Sequence, residues 1–473
     1  MPLFITGSRT TDTYGMRSQV HSLVRALLAL ALLALGLPVA AAARAGAGEA
    51  PARPESILVA PVARPAGAET KATRPVALPG PVGAGSGWGS IASADSASMR
   101  SIASASTPAP PDSASTRSVD WLWVTRVSLE SPEAVDQTVA RAKQMGVRGL
   151  LVQVIGRGDA WYRSDRLPRA EALGDQPADF DPLGRIIEKA HAAGLEVHAW
   201  INCCLVWSAD HPPADPSHVA RAHPDWFAAV ASGRSLLHMT PRGWRRLHIE
   251  GAWLSPADER VRDWVAGNVA EVARRYPVDG IHLDYLRTPG IDAGYDGATR
   301  LAFAQETGVD RAHLGARPPA ERAALADSFA SFEDAQVTAL VRAVRETLAV
   351  VKPGLPLSAA VRPDLSEAAR SYGQPWAQWL AEGLLDRAFP MCYSPVTQTV
   401  LDQLEDIARQ VGHDRVVPGI AVYNAPPVRV ASHVKGARAL GFPELALYSY
   451  DTLFGAPRYW QRLAPLIDRT VSP

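Results

Sequence analysis

The sequence predicts an α/β fold of the (β/α)8 TIM-barrel class, on three observations. Eight short β-rich runs are spread through residues 119–473, amphipathic helical segments separate them, and no Gly-rich turn follows the first run. Strands alternating with helices build a parallel sheet, and eight such strands close into a barrel. The doubly wound open sheet is the runner-up. It binds phosphate on a Gly-rich turn after its first strand, and its absence here weakens that alternative.

The runs are WLWVTR from Trp121, GLLVQVI from Gly149, LEVHAWI from Leu195 and VDGIHLDYL from Val278, then LPLSAAV from Leu355, DRAFPMCYS from Asp386, RVVPGIAVY from Arg415 and ELALYSY from Glu444. They are near-continuously apolar, as expected of strands covered on both faces. Helices are expected to open at Ser131-Pro132, Asp181-Pro182 and Ser255-Pro256. Each pair offers a side chain that accepts from orphan amides, followed by a Pro suited to the first turn. Gly146 and Gly194 close the first two in the left-handed conformation. A long connection from about Cys204 to Leu254 follows the third run and holds Trp207, Trp226, Phe227, Trp244 and Trp253. In a barrel it lies on the C-terminal face, where active sites form.

Ahead of this domain, residues 1–43 read as an N-terminal extension with a secretory signal. Arg17, His21 and Arg25 precede the apolar run ALLALALLALGLPVA and then small residues around Ala41 to Ala43. The apolar run is shorter than the roughly 20 residues of a membrane-spanning helix. Export to the periplasm or the extracellular space is therefore expected, with an uncleaved anchor as the alternative. Residues 44–118 are rich in Ala, Pro, Gly and Ser and read as a disordered linker, because they offer too little apolar surface to offset their ordering entropy. Of 13 tryptophans only Trp88 lies there, so the folded domain is expected from residue 119 onward. Lys+Arg and Asp+Glu each total 48, which leaves no overall charge to attract nucleic acid or an anionic membrane. Cys203, Cys204 and Cys392 are too few for a disulfide framework and lack the Cys-x2-Cys spacing of a zinc site. No metal or organic cofactor is implied.

In a barrel, polar side chains at the C-terminal strand ends converge on one mouth. The strand-end residues include Thr125 and Arg126 on the first run and Gln153 on the second. Aromatic rings, carboxylates, Asn and Arg together suit a carbohydrate, since rings stack on sugar faces and polar groups bind hydroxyls. The expected contacts are His198, Trp200, Asn202, Asp159, Trp161, His282, Tyr285, Arg287, Arg362, Tyr393 and Tyr423. Glycoside cleavage needs two carboxyl groups. Asp284, at the end of an apolar run on the mouth side, is expected to be one, as nucleophile or charge-stabilising group. For the other, Asp451, Asp364, Glu250 and Asp159 are candidates in that order. Interior packing is the competing reading for His198 and His282, and helix capping for Asp364.

The stretch VDGIHLDYLR with GYDGATRLAFAQETG after it resembles the glycosyl-hydrolase-like 10 family. LEVHAWIN, GDAWYRSDRLP and LYSYDTL extend the likeness. The resemblance implies a (β/α)8 barrel, export and hydrolysis of glycosidic bonds in a polysaccharide, with bacterial wall glycans among the substrates associated with some members. It also implies Asp284 as the central carboxylate, with His198, Asn202 and Tyr285 lining the pocket. The chain departs from the family where NCC follows Ile201 and where a single Asp ends the fourth run. A carbohydrate-binding barrel without catalysis is the rival from another class.

Overall fold

The computed structural model describes residues 117–290 and 292–468. The expected secretory signal and nearly all of the expected linker lie outside the described residues. Eight strands form a closed barrel in the order β1-β10-β9-β8-β7-β6-β3-β2. These are β1 (Trp121–Val124), β2 (Gly149–Ile155), β3 (Glu196–Asn202), β6 (Gly280–Asp284), β7 (Leu357–Val361), β8 (Arg387–Cys392), β9 (Gly419–Ala421) and β10 (Ala446–Tyr448). They correspond one for one to the eight apolar runs, and each pairs in parallel with its neighbours. All seven residues of β2 are buried, which is why no polar alternation marks it in the sequence.

The connection after β3 folds back on itself. Its β4 (Leu205–Trp207) and β5 (Ala252–Trp253) form a small antiparallel ribbon beside the barrel. Trp207, Trp226, Phe227, Trp244 and Trp253 are all buried, so the aromatic side chains of this excursion hold it down. Between β6 and β7, helices Gly297–Thr307 and Pro319–Val351 carry a satellite core of Phe303, Phe329 and Phe332.

The first two helices start as their caps dictate. Ser131 accepts from the amide of Ala134, Asp181 from that of Gly184, and a Pro follows each. The third differs. It begins at Glu259 with Asp258 as its cap, and Ser255 is instead 2.8 Å from the Thr299 hydroxyl. No helix among the described residues is long and apolar enough to cross a membrane.

Side-chain alternation sorts the barrel interior into levels. His198 pairs in register with Gly280, Trp200 with His282, and Asn202 with Asp284. The first pair is nearest the N-terminal end. There a Cβ on residue 280 would stand 2.5 Å from the His198 ring, so the imidazole fills the space that glycine leaves. The ring also lies edge-on to Trp121, with centroids 4.6 Å apart.

A chain of charges closes this end. Arg148 reaches Glu196 at 2.9 Å and Glu444 at 3.3 Å, Arg387 binds Glu444, and Trp121 donates to Glu444 at 2.6 Å. Burial favours protonating Glu196, yet the His198 ring and Arg148 outweigh it and bring its carboxyl down to about 2.

One level higher, Trp123 donates to Nε2 of His282 at 3.1 Å, and Nδ1 lies 3.0 Å from the Ser358 hydroxyl. Ser358 gives its own proton to the Ile281 carbonyl, so the network assigns the imidazole proton to Nδ1. Burial, helped by His198, pushes His282 well below its ordinary pKa and keeps it neutral.

Candidate active site

The C-terminal mouth opens into a cavity of about 820 Å³, within the range of small-molecule and saccharide sites. Asp284 is its most perturbed carboxyl. It is 8 % exposed and burial raises its pKa to about 6. The Tyr285 amide, which donates to Oδ1 at 2.6 Å, and the Arg287 charge pull it down; the Glu250 charge pushes it up. The Trp200 indole N–H completes no hydrogen bond, but it lies close enough to Asp284 to favour the carboxylate, the smallest of these influences.

Tyr285 has φ of +50°, a left-handed position that non-glycine residues rarely occupy. Two amides pin this turn. Cys203 donates to the Asp284 carbonyl at 2.8 Å and Cys204 to that of Tyr285 at 3.3 Å. Backbone strain of this kind, held in place by its surroundings, gathers at functional sites. All three cysteines are free and buried, which fits packing.

Glu250 enters the cavity from the excursion, two residues before β5. Its Oε1 lies 3.2 Å from Nη2 of Arg287. That guanidinium is buried among the rings of Trp253, Tyr285 and Tyr372, at 4.7, 5.4 and 5.1 Å from their centroids. A cation so enclosed has few alternative positions and fixes the carboxylate it meets.

Across the mouth, Tyr393, Tyr423 and Tyr448 form a cluster with centroids 5.3 to 6.2 Å apart. On the remaining side Arg126 donates to Gln153 at 3.0 Å. Gln153 is 3.4 Å from Asn202, and Asn202 donates to the Gly156 carbonyl at 2.8 Å.

The family model described as Glycosyl hydrolase-like 10 matches residues 114–429. The chain belongs to that family. The chain is similar to the glycosyl hydrolase DigH of Escherichia coli strain K12, 25 % identical over 315 residues that make up 59 % of this chain and 64 % of that protein. Glycosyl hydrolase YngK of Bacillus subtilis strain 168 is 26 % identical over 304 residues, 59 % of this chain and 52 % of YngK. The chain thus spans less than two thirds of either relative. Among solved structures, the PgaB (BpsB) glycoside hydrolase domain of Bordetella bronchiseptica superposes with a TM-score of 0.56 at 15 % identity, over 74 % of this chain and 99 % of that one. An alpha-L-fucosidase isoenzyme 2 from Paenibacillus thiaminolyticus gives 0.51 at 16 %, over 74 % and 48 %. At these identities the likeness is one of fold.

In this member of the glycosyl hydrolase-like 10 family, the cavity gathers Asp284, Glu250, Trp200, Asn202, Tyr285, Arg287, Arg362, Tyr393 and Tyr423 from the expected set. The others are placed elsewhere. Asp451 lies in the first turn of helix Tyr450–Gly455 and accepts from the Thr125 amide at 3.1 Å and the Ser128 hydroxyl at 2.5 Å, which ties that helix to β1. Asp364 caps helix Leu365–Tyr372 through the Glu367 amide at 2.8 Å. His198 and His282 lie below the floor in the barrel interior. Asp159 is buried behind the wall and accepts from the Arg157 amide at 3.1 Å, while Trp161 is packed in the main core. Among residues outside the expected contact set, Arg126, Gln153, Trp123, Ser208 and Tyr448 also line the cavity. Arg126 and Gln153 are visible as strand-end polar residues. Tyr448 is hidden because β10 stops two residues earlier than its apolar run suggests.

Proposed function

We propose that this chain hydrolyses glycosidic bonds of a polysaccharide, with Asp284 as proton donor and Glu250 as the second carboxylate. The observation that carries this is a strand-end carboxyl raised to about 6, in a ring-lined cavity that also holds a second carboxylate clamped by a buried arginine. Glycoside cleavage needs one carboxyl that keeps its proton to meet the leaving oxygen and another that works ionised. The environments here suit Asp284 to the first task and Glu250 to the second. Relative to the expectation from sequence, Asp284 moves from nucleophile or charge-stabilising group to acid, and Glu250 moves ahead of Asp451 and Asp364. The rings of Tyr393, Tyr423 and Tyr448 line the cavity and offer faces for sugar stacking. A bacterial wall glycan is the proposed substrate class and export the proposed destination. Both rest on the sequence resemblance and on the signal-like residues 17–43. Cell fractionation tests export, and recovery of the protein in the cytoplasmic fraction refutes it.

The acid role has a pH signature. A proton donor works only while protonated, so kcat/KM on a fixed glycan should fall as pH rises through about 6. A nucleophilic Asp284 gives the opposite slope, activity rising through the same window, and that result would reverse the assignment. For the activity itself, a glycan panel that includes peptide-free wall strands is incubated with the wild type and with Asp284→Asn. Equal product from both sinks the catalytic proposal; binding without turnover in both identifies a carbohydrate-binding barrel.

A further inference from the structure

One wall of the cavity holds two guanidiniums that make no ion pair among the described residues. Arg126 ends β1 and Arg157 follows β2, its hydrogen-bonded neighbour. The Arg126 guanidinium lines the cavity and donates to a neutral acceptor, the amide oxygen of Gln153 at 3.0 Å. The Arg157 guanidinium donates at 3.1 Å to the hydroxyl of Ser208, which also lines the cavity. Neither guanidinium makes an ion pair among the described residues, whereas Arg287 and Arg362 at the same mouth each have a glutamate at 3.2 Å. Asp159 is the nearby carboxylate. It is buried behind the wall, receives the Arg157 amide and meets neither guanidinium within ion-pair distance. The two cations therefore repel one another across a half-buried wall. Burial and the Arg157 charge weigh against the Arg126 cation and together outweigh the Asp159 charge that favours it. Such an arrangement is costly unless an anion arrives to share it.

We infer that this wall binds the carboxylate of an acidic sugar unit, with Arg126 as the residue that selects it and Arg157 as the supporting charge. The inference rests on the proposed reading of the cavity as a saccharide site. A guanidinium presents paired N–H donors in a plane that matches a carboxylate. With one acceptor already met by Gln153, Arg126 retains donors for a ligand. Two sugar chemistries supply such a group, a uronate and a lactyl ether, and the experiment separates them.

The test is equilibrium binding by calorimetry to the Asp284→Asn protein, from which the proposed proton donor has been removed. The probes are a uronate oligosaccharide, a peptide-free oligosaccharide bearing lactyl ethers, and each of these after reduction of its carboxyl to an alcohol. At least one acid should bind about tenfold or more tightly than its reduced form, as expected for a charge-assisted hydrogen bond. Whichever acid gains identifies the source. Adding Arg126→Gln should abolish the preference, and Arg126→Lys should keep part of it. The preference should shrink with added salt. Matching thermal melts establish that the variants fold. Equal affinity for acid and reduced forms, no binding of either acid, or a preference that survives Arg126→Gln overturns the inference. A carboxylate preference in a protein without turnover leaves it standing and removes only the hydrolytic reading.

Discussion

Asp284→Asn is expected to lower turnover by about three orders of magnitude, the middle of the range that a positioned proton donor contributes. The substitution is a clean probe because asparagine keeps the oxygen that accepts from the Tyr285 amide at 2.6 Å. It should also stabilise the protein at neutral pH. A carboxyl raised to about 6 in the folded state holds its proton there longer than in the unfolded chain. Its contribution therefore makes stability fall as pH climbs from about 4 to about 6. Removing the charge recovers roughly 3 kcal/mol at pH 7. Urea unfolding at pH 4 and pH 7 checks this. Wild type and Asp284→Asn should converge at pH 4 and separate at pH 7. A variant with unchanged turnover would move the chemistry away from this strand end.

Glu444→Ala is expected to cost about 3 kcal/mol of stability while leaving the mouth intact. Glu444 precedes β10 and receives the Trp121 indole N–H at 2.6 Å together with the Arg387 and Arg148 guanidiniums. It joins the N-terminal ends of β1, β2, β8 and β10, which lie far apart in sequence. Truncation would leave the Trp121 indole donor and the Arg387 cation without their acceptor, while Arg148 keeps Glu196 at 2.9 Å. Glu444→Gln, which keeps an acceptor oxygen, should lose roughly half as much. Denaturant midpoints measure both. A loss below about 1 kcal/mol for the alanine variant would show that the solvent-exposed portions of the two arginines dominate, as at ordinary surface pairs.

The barrel is legible in the sequence because strands buried on both faces lose their polar alternation and stand out as apolar runs. Asp284 is legible for a related reason. A carboxylate terminating such a run must either reach the mouth or be neutralised. Strand ends are harder to read. YSYD after Leu447 looks equally able to continue β10 or to begin a helix. Helix Tyr450–Gly455 takes it at Tyr450, so Tyr448 enters the cavity and Asp451 ties the helix to β1. Glu250 is harder still, since β4 and β5 are three and two residues long and leave no periodic trace. Its place depends on an arginine 37 residues away in sequence. His198 and His282 alternate with apolar neighbours whether they sit at the mouth or beneath it. Only register against Gly280 and Trp200 distinguishes the levels.

The two proposed carboxylates belong to parts of the molecule with different anchorage. Asp284 rides a central barrel strand paired on both sides, whereas Glu250 hangs from the excursion, whose ribbon has two strands. Two-stranded ribbons have little stability of their own, so this one depends on the aromatic side chains that pack the excursion down. Regions of this kind open locally before the whole fold does. Heat should therefore silence the proposed activity in two stages. Catalysis would fade as the ribbon loosens and Glu250 drifts from Arg287, while far-ultraviolet circular dichroism still records an intact barrel. Brief cooling from that first stage should restore activity in full. Superimposable inactivation and unfolding curves would show instead that ribbon and barrel melt as one cooperative unit.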